Sequence, residues 1–119
     1  MYDHIGLTVR DLDTSVRFYE AALAPLGHVV GSHDKSSAGI GPKDAPALWL
    51  YHGKSAAPGA HVAFRAPDRA AVDRFHARGL KAGGRDNGAP GLRADYSPTY
   101  YAAFLRDPDG NNVEAVFLG

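Results

Sequence analysis

The chain repeats part of itself, and that repeat limits the folds open to it more than any other feature. An offset of 57 positions carries His4 onto His61, Asp11 onto Asp68, Arg17 onto Arg74, Phe18 onto Phe75 and Gly27 onto Gly84. The first copy reads HIGLTVRDLDTSVRFY and the second HVAFRAPDRAAVDRFH. Each spells a short strand opening on a histidine, then an acidic cap and an amphipathic helix. In the first strand Ile5, Leu7 and Val9 share one face while His4, Gly6 and Thr8 share the other. Asp11 or Asp13 is placed to cap the helix, whose stripe of Leu12, Val16, Tyr19, Leu23 and Leu26 ends at Pro25 and Gly27. The second copy repeats the scheme, with Asp68 as cap and Ala71, Val72, Phe75 and Leu80 on the stripe.

Further strands are expected at about 28–32, 37–41 and 47–51, and then near 84–88, 100–106 and 112–117. A linker is expected at 52–59, and DPDGNN at 107–112 reads as a hairpin turn. The predicted fold is α+β: two βαβββ modules, about 1–57 and 58–119, forming one curved mixed sheet with helices on its outer face. Neither module closes over its own sheet, so the two must pack together or exchange with a second chain. The stretch 86–99, DNGAPGLRADYSPT, has no counterpart in the first half and is long enough to suggest a functional loop.

Composition narrows the partners. Thirteen basic residues balance thirteen acidic ones, so no field attracts nucleic acid or an anionic membrane. The absence of cysteine removes thiolate ligands, thiol nucleophiles and disulfides. With no apolar run long enough to span a bilayer and no signal-peptide pattern, the expected location is the cytoplasm.

A histidine near a chain end is ordinarily solvated, and His28, His33 and His52 read as surface or loop residues. His76 stands where the first copy has Tyr19 and reads as helix packing. His4 and His61 differ because the repeat makes them equivalent. In the last strand, Asn112, Glu114 and Val116 share the face opposite to Val113, Ala115 and Phe117, which places Glu114 on the concave side with both histidines. A carboxylate among apolar neighbours is costly unless paired. Two imidazoles and one carboxylate form a divalent-metal set that leaves positions open for water and substrate. His4, His61 and Glu114 are therefore the predicted ligands. Asp107 and Asp109 hint at a calcium loop, but Pro108 and the missing later ligands favour a turn.

DHIGLTVRDLDTSVRFY, HVAF followed by a helix, and FLRDPDGNNVEAV together resemble the vicinal oxygen chelate superfamily. It includes glyoxalase I, extradiol dioxygenases, fosfomycin-resistance transferases and bleomycin-binding proteins. The resemblance covers nearly the whole chain. It implies paired βαβββ modules around a divalent metal such as Zn, Ni, Mn or Fe, with His4, His61 and Glu114 as ligands, and commonly a homodimer. Glyoxalase I carries a fourth ligand, a Glu on the strand matching ALWLY, where this chain has Trp49. Trp49 neither binds metal nor moves protons. Small bacterial glyoxalase-like proteins share GGRDNGAPGLR and the YYAAF strand.

The expected activity is that of a metal-dependent lyase, isomerase or related enzyme on a small oxygenated substrate. The alternatives are a non-catalytic drug or metabolite binder of the bleomycin-resistance type and a sensor that retains only the fold. Glu114 and Tyr101 are the expected catalytic groups. Arg65 and Arg93 are the candidates to hold an anionic substrate group, and Trp49, Tyr51, Tyr96 and Tyr100 to wall the cavity.

Overall fold

The computed structural model describes residues 1–54 and 59–119. Its order is β1 (Ile5–Val9), α1 (Leu12–Leu23), a 3₁₀ turn (Ala24–Leu26), β2 (Val29–His33), β3 (Ser37–Gly41) and β4 (Leu48–His52). The second half follows with β5 (His61–Arg65), α2 (Arg69–Lys81), β6 (Arg85–Leu92), β7 (Tyr101–Arg106) and β8 (Asn112–Phe117). This is βαβββ twice, as the repeat predicts. The expected module boundary at 57/58 and the middle of the expected linker lie outside the described residues.

The strands form two four-stranded sheets, ordered β1-β4-β3-β2 and β5-β8-β7-β6, rather than one continuous sheet among the described residues. Both are mixed. β1 runs parallel to β4 and β5 parallel to β8, while the remaining pairs are antiparallel. Asp11 caps α1 by accepting the Thr14 backbone N–H, and Asp68 caps α2 by accepting that of Ala71. Asp13, the other cap candidate, lies in the first turn of α1, where its charge suits the dipole.

One core serves both halves. The repeat-equivalent Phe18 and Phe75 are both fully buried, in a cluster that also takes in Leu7, Val9, Leu50, Leu105 and Val113. α1 packs against α2, and Gly79 makes that approach possible: a Cβ there would lie 2.3 Å from Leu105 and 3.3 Å from Phe18. No helix among the described residues is long and apolar enough to cross a membrane.

Two expectations change. The stretch 86–99 is not a loop throughout, because β6 continues to Leu92. It does so through two register shifts against β7, with Gly88 at φ +151. Bulges let a glycine- and proline-containing segment stay paired at a sheet edge. The hairpin turn at 107–112 is present, but it also fastens the two halves together. Asp107 is buried and accepts hydrogen bonds from the Tyr19 hydroxyl (2.5 Å), the Asp109 and Asn111 backbone N–H groups and the Asn111 amide. Asn111 in turn accepts the Ala60 N–H, while Asp109 accepts from the Arg10 backbone and guanidinium.

Candidate active site

The register of the two sheets makes the repeat's broken symmetry concrete. Gly6 pairs with Trp49 in the first sheet, and Ala63, its equivalent at the 57-residue offset, pairs with Glu114 in the second. Trp49 thus occupies the position that Glu114 occupies in the other module. On β3 and β7 the neighbours swap size in compensation, Gly39 beside Trp49 and Phe104 beside Glu114. The indole lies against Gly39, where a Cβ would come within 2.8 Å of the ring, and the Tyr51 ring lies against Gly6, where a Cβ would come within 3.0 Å. Leu48 and Leu50, which alternate with them in sequence, point to the helix side and are buried. Trp49 and Tyr51 therefore form an aromatic floor on the face turned away from α1.

In the second sheet the corresponding face is polar. Glu114 is only 3% exposed, yet both of its oxygens have partners. Oε1 lies 2.9 Å from His61 Nε2, and Oε2 accepts the hydroxyl hydrogen of Tyr100. Burial, followed by the bond to Glu114, pushes the Tyr100 phenol up to about 12. His61 remains half exposed and meets the edge of Phe104 at 6.3 Å between ring centroids. The Arg93 guanidinium lies over the Phe104 ring, 5.4 Å from its centroid. Bonds to the carbonyls of Ala89 and Gly91 (2.8 and 2.9 Å) fix that guanidinium and use two of its donors, leaving others for an anion. Tyr96 packs edge-on to Tyr100 at 4.9 Å. His61, Glu114, Tyr100, Tyr96 and Arg93 thus belong to one neighbourhood, and Arg65 lies on the same strand face as His61 with its side chain exposed.

Two expected members stand elsewhere. Tyr101 shares the parity of Ala103 and Leu105, so it points to the helix side. Its hydroxyl donates to Asp73 at 2.6 Å and its ring lies under Arg69 of α2. The tyrosine that reaches Glu114 is Tyr100, one residue before the strand. Tyr101 therefore stands on the face opposite Glu114: in a strand, one step in sequence is a change of face. His4 precedes β1, with Nδ1 2.6 Å from Asp3, and lines a cleft of about 170 Å³ together with Leu23, His28, Leu48 and Phe64. Among the described residues no group of three His, Asp or Glu side chains converges, so a single chain brings together His61 and Glu114 but not His4.

The other histidines have local roles. His76 Nε2 lies 2.8 Å from Asp86 and tethers α2 to β6, and His33 approaches Asp13 at 3.4 Å. His28 is half-buried, and desolvation lowers its pKa. Two amide side chains that the sequence did not single out extend this cluster, Asn112 beside His61 and Asn87 beside Asn112. Asn112 Nδ2 lies 3.3 Å from His61 Nδ1, and Asn87 Nδ2 donates to Asn112 Oδ1 at 3.1 Å. Strand parity alone places Asn112 beside Glu114, and that was the available signal.

Residues 2–115 match the family model described as the glyoxalase/bleomycin resistance protein/dioxygenase superfamily. A crystal structure of a glyoxalase/bleomycin resistance protein from Albidiferax ferrireducens is similar over 98% of both chains, at 32% identity and a TM-score of 0.84. A glyoxalase-related enzyme from Fulvimarina pelagi shares the fold at 19% identity and a TM-score of 0.75, covering 98% of this chain and 87% of its own. So does a glyoxalase/bleomycin resistance protein/dioxygenase family enzyme from Burkholderia phytofirmans, at 15% identity and 0.76 over 98% of each chain. No curated protein matches the chain.

Proposed function

The chain belongs to the glyoxalase/bleomycin resistance protein/dioxygenase superfamily, and from that membership we propose a cytoplasmic, metal-dependent, glyoxalase-like enzyme acting on a small oxygenated molecule. The observation that carries this reading is the buried Glu114 carboxylate held 2.9 Å from the half-exposed His61 imidazole. An imidazole nitrogen and a carboxylate oxygen that close fit one Zn, Mn, Fe or Ni ion. His61 and Glu114 would hold the ion, and His4 from a second copy of the chain would complete the set. When bound, such an ion supplies Lewis acidity toward a substrate oxygen.

The protein's own groups do the rest. Glu114 is the base or proton store, because it is buried and is oriented through both oxygens. Tyr100 fixes that orientation and holds a hydroxyl proton on Oε2. Arg93, stacked on Phe104, offers its remaining donors to an anionic substrate group, and Arg65 extends the positive edge. Tyr96 shields the Tyr100 side from water.

The direct test is cation uptake by protein stripped with chelator. Wild type is expected to bind Mn²⁺, Fe²⁺, Ni²⁺ or Zn²⁺, and Glu114→Ala to lose most of that affinity while staying folded. A wild-type protein that takes up none of the four sinks the proposal. The floor of Trp49 and Tyr51 on glycines supports a second reading, a binder of flat ligands without catalysis. Tight binding of an aromatic ligand that Glu114→Ala leaves unchanged would favour that reading instead.

A further inference from the structure

We infer that Asn87 and Asn112 form an amide relay that decides which ring nitrogen of His61 carries its proton, and so whether the His61–Glu114 pair is closed by a proton or open to a cation. The inference deepens the metal-site reading and rests on it only for the second half of that statement.

The directions of the hydrogen bonds carry the argument. Asn87 Nδ2 donates to Asn112 Oδ1 (3.1 Å), which occupies the oxygen of Asn112 and turns its NH₂ toward the ring. An amide NH₂ only donates, so His61 Nδ1, 3.3 Å away, accepts. A neutral imidazole then has its single proton on Nε2, the nitrogen 2.9 Å from Glu114 Oε1. Glu114 accepts that proton's bond on Oε1 and the Tyr100 hydroxyl on Oε2. One donor from each of Asn87, Asn112 and His61 meets an acceptor, and the carboxylate at the end of the chain is satisfied without any ion.

If both amides turn over, Asn112 presents oxygen to Nδ1. The ring proton moves to Nδ1, and Nε2 faces Glu114 with a lone pair. Two lone-pair atoms at that separation repel unless a cation lies between them. Ring nitrogens that bind metal ordinarily have their other nitrogen donating to an oxygen, and this second setting supplies that arrangement. Asn87 and Asn112 are positioning residues acting through His61. Asn112 is paired directly beside His61 in the β5–β8 register, and Asn87 sits at the first bulge of β6, where the register shifts between Asp86 and Gly88.

The test uses the metal-free, full-length, ¹⁵N-labelled protein at a pH where imidazole is neutral. Long-range ¹⁵N–¹H spectra report the tautomer, with His61 assigned by its loss in His61→Gln. Wild type is expected to show Nε2 protonated and Nδ1 bare. Asn112→Asp, which replaces the donor by an acceptor, is expected to reverse the tautomer to Nδ1–H. Asn87→Ala, at an exposed site where folding is not at stake, is expected to shift the ratio toward Nδ1–H. An Nδ1–H majority in wild type, or a ratio that neither variant moves, overturns the relay. Calorimetric titration with Mn²⁺ forms the second arm. Asn112→Asp is expected to tighten binding about tenfold. A tautomer that follows the amides in protein that takes up none of Mn²⁺, Fe²⁺, Ni²⁺ and Zn²⁺ supports the relay and overturns the metal reading instead.

Discussion

At the scale of single residues, the site turns on one carboxylate and the tyrosine that faces it. Tyr100 ionises at about 12 rather than at the ordinary 10.0, because burial and the bond to Glu114 both oppose a phenolate. The folded-state value lies above the unfolded one. Its contribution to stability is therefore complete below about pH 10 and lost as pH rises through about 12. Absorbance at the phenolate band is expected to show several late-titrating tyrosines, one of which is absent in Tyr100→Phe and moves back toward the ordinary value in Glu114→Gln. If Tyr100→Phe and Glu114→Gln keep as many late groups as wild type, the assigned contact is wrong. Tyr19 also has its value raised, by burial and by Asp107, and Tyr101 by its bond to Asp73, so subtraction of the Tyr100→Phe titration is what isolates the signal.

At the scale of elements, the repeat was legible because strand and helix periodicities are local. The caps at Asp11 and Asp68 and the bounds of β3 and β8 follow from side-chain chemistry within a few residues. What was not legible depended on contacts across the chain. DPDGNN announced a turn, but nothing local says that Asp107 waits for the Tyr19 hydroxyl 88 positions away. The same holds for β6, where bulges chosen by pairing with β7 extend a strand through residues that read as a loop. The repeated glycines show the limit most clearly. Gly27 adopts φ +94 at the end of its 3₁₀ turn, whereas Gly84 is small because a Cβ would strike Phe18 at 2.4 Å. One letter at equivalent positions serves two different physical needs. The turn's role as a fastener predicts that Tyr19→Phe, which leaves volume intact, destabilises the fold by about 1.5–3 kcal/mol, the range for a hydrogen bond to a charged group. Urea unfolding measures it, and a loss below about 0.5 kcal/mol would mean that water replaces the hydroxyl.

At the scale of the whole molecule, strand parity was enough to place Glu114 with His61, while the position of His4 depended on how the modules pack. Periodicity assigns a face to each residue but not which faces meet, and within one chain His4 lines a different cleft from the His61–Glu114 pair. If two chains share each site, the defect of one can be supplied by the other. Chains carrying His4→Ala keep His61 and Glu114, and chains carrying Glu114→Ala keep His4. Mixed and allowed to exchange, they form heterodimers in which one of two sites is whole, so about a quarter of all sites should recover metal binding. Each variant alone should bind little. Recovery in the mixture, read as metal retained after desalting, identifies a site built from two chains. If the mixture binds no more than its components while light scattering shows a dimer, His4 does not cross between chains, and the cation would have to be held by His61 and Glu114 with water alone.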